Sequence, residues 1–101
     1  MKVVFADKNL EFIETNQAAR TGLPVSIIQA ARRKLAFIRA APDLSSLMNW
    51  KSLGLRIVSE IDKDYAIILA AAWTFQLTIH EENGSMVANI LTLSQILQGV
   101  A

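Results

Sequence analysis

Hydrophobic and polar residues alternate along this chain with two different periods, and the change of period divides it into two halves. Lys2 to Ala6 (KVVFA) is short and β-branched, which predicts a first strand. Asp7 offers a side-chain oxygen to cap a helix, in which Leu10, Ile13 and Ala18 follow at helical spacing while Glu11 and Glu14 face out. Thr21-Gly22-Leu23-Pro24 breaks that pattern. Gly22 can end the first helix, and Pro24 can open the next one where a missing N–H costs nothing. From Val25 to Ala41, Ile28, Ala31, Leu35 and Ile38 recur three or four apart and make one apolar stripe, which Pro42 brings to a stop. The two helices are close enough in sequence to form an antiparallel hairpin.

Asp43 to Ser52 is an irregular connector with apolar anchors Leu44, Leu47, Met48 and Trp50. After it the period becomes two. Leu55 to Val58 starts a strand, Asp62-Lys63-Asp64 is a polar turn, and Tyr65 to Leu69 is a second strand, apolar enough to be central. In Trp73 to His80, Trp73, Phe75, Leu77 and Ile79 point one way and Thr74, Gln76, Thr78 and His80 the other. Asn83-Gly84 supplies the positive φ angles of a tight hairpin turn, and Met86 to Leu93 returns as the partner strand. Ser94 to Ala101 reads as a short tail with one helical turn. Strand, two helices, then a meander predicts an α+β fold: an N-terminal strand and two-helix hairpin packed on a small antiparallel β-sheet. Val87 to Leu93 has few charged guards against edge pairing, so a strand-mediated homodimer is one expectation.

Composition narrows the function classes. Of 101 residues, 52% are apolar and 19% charged, which excludes disorder and suits one domain over 1–101. Without cysteine there is neither a disulfide framework nor a thiolate metal site, and His80 is the sole histidine, so no metal or other cofactor is expected. No signal-peptide pattern and no run of about 20 apolar residues is present, so a cytoplasmic protein with no membrane span is expected. The net charge is +1, but Arg20, Arg32, Arg33, Lys34, Arg39, Lys51 and Arg56 fall in a segment whose one acid is Asp43. Such a stripe can meet phosphates or an acidic partner, or can be a solvated helix face.

The element order, with several local runs, resembles the RelE-like toxin superfamily, in particular its HigB-type plasmid maintenance killer branch. Lys8-Asn9-Leu10-Glu11 is similar to the killer proteins' Lys-x-Leu helix, and Ala31-Arg32-Arg33-Lys34-Leu35 to Ala40-Ala41 to their Arg-rich helix ending in paired alanines. Gly54-Leu55-Arg56-Ile57, Tyr65 to Leu69, Trp73 and Asn83-Gly84 extend the likeness over nearly the whole chain. The resemblance implies a toxin that cuts mRNA on the ribosome without a metal, paired with a helix-turn-helix antitoxin of HigA type. It also implies catalytic groups on the exposed sheet face, and here the chain departs from the pattern. The family's arginine after the strand tryptophan is Thr74, its closing Asp-Tyr-His falls near Leu93, Ser94 and Gln95, and its Asn-Gly-Asn turn is Ala70-Ala71-Ala72. Threonine cannot offer a guanidinium fork to a phosphate.

Candidate RNA contacts are Arg32, Arg33, Lys51, Arg56 and Lys63. His80 is a candidate acid or base, set against the plainer reading of an exposed strand-end histidine. Trp73 shares a face with Phe75 and belongs to the core; Trp50 either anchors the connector or faces a partner. Two functions follow: a killer-type toxin, possessing or lacking its RNA-cutting activity, or a non-catalytic module of the same fold that binds an antitoxin-like regulator or another copy of itself.

Overall fold

The computed structural model describes residues 1–69 and 73–95. Its strands are β1 (Lys2–Phe5), β2 (Leu55–Ser59), β3 (Asp64–Ile68), β4 (Trp73–Glu82) and β5 (Ser85–Gln95). They lie side by side in the order β1-β5-β4-β3-β2. β2 to β5 form the antiparallel meander that period-two alternation predicts, and the fold is α+β. β1 adds to the far side of β5 and runs parallel to it, from Lys2 opposite Val87 to Phe5 opposite Ile90, so the sheet is mixed rather than wholly antiparallel. This corrects the expected edge at Val87 to Leu93. β5 has neighbours on both sides, and among the described residues the free edges belong to β1 and β2.

The helical layer differs from the predicted hairpin in its first arm. Two 3₁₀ stretches, Lys8–Glu14 and Ala18–Thr21, stand in place of one α-helix. Leu10 and Ile13, both buried, are three apart, which matches the three-residue turn. Thr15 then ends the first stretch: its hydroxyl donates to the Phe12 carbonyl (2.8 Å) and accepts from the Gln17 N–H (3.1 Å), a local alternative to helical pairing. The second arm is α1 (Val25–Ala40), with Ala31, Leu35 and Ile38 fully buried. The connector is more regular than its sequence suggests. It holds α2 (Leu44–Asn49), capped by Asp43, whose Oδ1 accepts from the Ser46 N–H at 2.8 Å. Ser94 and Gln95, read as tail, belong to β5; the rest of that tail and the Ala70–Ala72 turn lie outside the described residues.

One apolar cluster joins the layers. Leu10, Ile13, Ala31, Leu35, Ile38, Leu47 and Leu53 pack with Val3, Tyr65, Ile67, Phe75, Leu77, Ile79, Ala88 and Ile90. Asn83 (φ 53°) and Gly84 (φ 80°) make the tight turn that sets the β4–β5 register. Among the described residues the helical elements pack on this one face; the other, open face is mostly polar, although Thr74 and Val87 on it are buried. No described helix is long and apolar enough to cross a membrane.

Leu35→Ala is expected to cost about 2–5 kcal/mol, read as a lower urea midpoint with unchanged slope, because the site is fully buried. Backbone, then side-chain, hydrogen bonding with Ser46 holds the Asp43 carboxyl below its ordinary range. A folded value below the unfolded one means a stabilisation present at neutral pH and lost as pH falls through the folded value. Asp43→Asn should therefore flatten the acid limb of a stability–pH curve measured from pH 7 downward; an unchanged limb would contradict the cap.

Candidate functional site

The β4–β5 register decides what the open face displays. Thr74 lies opposite Ser94, Gln76 opposite Thr92, Thr78 opposite Asn89 and His80 opposite Val87. The Thr92 hydroxyl donates to Gln76 Oε1 at 3.1 Å. β3 adds Asp64, Ala66 and Ile68 to this face, and β2 adds Arg56, opposite Ala66. A shallow cavity of about 120 Å³ opens between Val58, Asp64, Tyr65, Gln76, Leu77 and Leu91. Among the described residues its one charged lining residue is Asp64, which repels a phosphate rather than holding it.

The positions where the resemblance places RNA-cutting groups do not converge. Thr74 and Ser94 face each other on the open side, but Gln95 pairs with Trp73 and so points to the helix side. Thr74 is buried, with 3% exposure. His80 stands six residues further along β4, roughly 20 Å away at the rise of a strand. Its Nε2 lies 3.3 Å from Glu82 Oε2, with both side chains substantially exposed. It is a strand-end histidine with an acidic neighbour, too far from Thr74 to share a substrate bond with it.

The five candidate RNA contacts also separate. Arg32 is engaged in the fold itself: Nε donates to the Ile13 carbonyl at 2.6 Å and Nη2 to the Thr15 carbonyl at 2.8 Å. It thus satisfies the backbone where the first 3₁₀ stretch ends, and Arg39 reinforces the same junction through Glu14 at 2.6 Å. The hydrogen bond to Glu14 raises the Arg39 pKa, against the lowering effect of burial. Arg33 is exposed on α1, and Lys51 is exposed on the 3₁₀ turn Lys51–Leu53. Arg56 projects from β2 on the open face. Lys63 sits in the β2–β3 turn at φ 56°, where its carbonyl accepts from the Ile79 N–H.

Two features escaped the sequence reading. Lys34 donates to the Ser52 carbonyl, joining α1 to the turn that carries Lys51. Trp50 stacks on Phe37 with ring centroids 4.4 Å apart, so it both anchors the connector and keeps 37% exposure. The spacing of Ala30, Arg33, Lys34 and Phe37 on one side of α1 was the signal for the first. No family model matches this chain, and no curated protein matches it.

Arg32→Ala is expected to lower stability by about 1–3 kcal/mol and to speed amide exchange in residues 8–15, because two backbone carbonyls lose a charged donor. Arg33→Ala, one position on, should stay within about 0.5 kcal/mol of the parent. Equal effects for the two would show that Arg32 does not hold the arm.

Proposed function

We propose that this chain is a cytoplasmic protein-interaction module with the fold of the killer toxins, the toxin-side member of a toxin–antitoxin pair, which binds a helix-turn-helix antitoxin-like regulator and does not cut RNA. The observation that carries the reading is the charge of the open sheet face. Among the described residues the strands place two cations there, Lys2 on β1 and Arg56 on β2. These strands are the two outer members of a five-stranded sheet, four strand spacings or roughly 19 Å apart, so both cannot hold one phosphate. Metal-free cleavage of an RNA backbone needs a proton acceptor, a proton donor and cations within hydrogen-bond reach of one phosphate. Thr74, Gln76, Thr78, Asn89, Thr92 and Ser94 offer hydroxyls and amides along most of the face, and His80, near the end of β4, shares a cavity with Lys63 but also with the carboxylates of Glu60 and Glu81, which repel a phosphate.

The burial of Thr74 adds to this. An arginine restored there would have to place a guanidinium where 3% of the residue is exposed, which costs stability before it contributes chemistry. No ribosome-dependent cuts are therefore expected when the purified chain is added to cell-free translation and mRNA 5′ ends are mapped. Thr74→Arg should add none. Cuts at defined codon positions from the unmodified chain would make it a working nuclease with its catalytic groups elsewhere.

A further inference from the structure

Ala30, Arg33, Lys34 and Phe37 run along one side of α1 and, with Ser52 and Leu69, line a groove of about 310 Å³. Among the described residues the groove is lined by two cations and no carboxylate. Lys34 reaches across it to the Ser52 carbonyl and so fixes the turn Lys51–Leu53 against the helix. That turn follows Trp50 directly and carries a third cation, Lys51, which is exposed and precedes the groove-lining Ser52. Phe37 packs against the Trp50 indole with the rings tilted by 37°, and Trp50 keeps 37% exposure. Burial, and then the charge of Arg33, lower the Lys34 pKa. An anion entering such a groove relieves the repulsion, and an exposed indole face accepts a planar base.

We propose that this groove binds a nucleotide unit, its phosphate held by Arg33, Lys34 and Lys51 and its base stacked on the open side of Trp50. The site belongs to the helical layer, so it stands whether or not the open sheet face acts on RNA. A free mononucleotide and a single-stranded polynucleotide offer the same chemistry, and the two are separated by experiment.

The full-length chain carrying Trp73→Phe, which leaves Trp50 as the one indole, is titrated with adenosine monophosphate and, separately, with single-stranded oligoadenylate of about 12 nucleotides. Calorimetry on the unmodified chain with the same two probes gives affinities that do not depend on the Trp73 substitution. Oligoadenylate is expected to quench the Trp50 emission, with log affinity falling against log salt at a slope near −2, from about −0.7 for each of three cations. Arg33→Gln and Lys51→Gln should each weaken binding about tenfold. Arg56→Ala, on the open sheet face, should leave it unchanged. Quenching by the mononucleotide with the same sensitivity to the variants assigns the site to free nucleotides; binding of oligoadenylate alone assigns it to single strands. No binding of either probe overturns the proposal. So does binding that survives Arg33→Gln and Lys51→Gln together in a chain with parental circular dichroism.

Discussion

Phe75, Leu77 and Ile79 bury their side chains in the same cluster as Ala31, Leu35 and Ile38, and this burial constrains the sheet more than any other contact. A slip of one residue in β4 would carry three large apolar groups into water and bring Thr74, Gln76 and Thr78 into the core. The register is therefore strongly specified, and the polar character of the open face is its direct consequence. β5 meets the same demand by a different route. Gln76 pairs with Thr92 and the next residue, Leu77, pairs with Ile90, so Leu91 is an inserted residue that shifts the alternation. The shift lets Ile90 and Leu93 both face the helices while Thr92 and Ser94 face out beside Gln76 and Thr74.

Charge follows from this division of faces. The strands contribute Lys2 and Arg56 to the open side at opposite edges of the sheet, whereas Arg32, Arg33, Lys34 and Arg39 all arise from α1. Within that helix the four cations have different work. Arg32 and Arg39 hold the irregular N-terminal arm through carbonyls and a carboxylate. Lys34 ties α1 to the turn before β2, and Arg33 lies beside it in a groove that holds no carboxylate among the described residues. The sheet face is largely polar, with its two cations at opposite edges, so the denser cationic surface lies on the other layer.

The sheet was legible because its signals are local. Alternation in Trp73 to His80, the Asn83-Gly84 turn and the apolar run at Tyr65 to Leu69 each need only a few neighbouring residues to be read. The parallel pairing of β1 with β5 joins the first strand to the last, and no local pattern encodes it. For the same reason Met86 to Leu93 looked like an unguarded edge when it is an interior strand. Leu10 and Ile13 at a spacing of three fit a 3₁₀ turn as well as an α-helix, and the Thr15 hydroxyl decided between them. The candidate site was less legible than the fold. A run such as Ala31-Arg32-Arg33-Lys34 shows that cations are present, but whether a guanidinium is spent on backbone carbonyls, as in Arg32, depends on which loop packs over it. Likewise the three positions Thr74, Ser94 and Gln95 are close in the ladder, yet a strand's alternation sends the last to the opposite face.

The proposed groove on the helical layer and the polar face of the sheet are two separate places at which a single strand could bind. Amide chemical-shift mapping during titration of the chain with single-stranded oligoadenylate distinguishes them. Shifts gathered at Arg33, Lys34, Phe37 and Trp50 to Ser52, with Thr74 to His80 unmoved, are expected for the proposed groove. Shifts concentrated along Thr74, Gln76 and Thr78, with α1 unaffected, would overturn it.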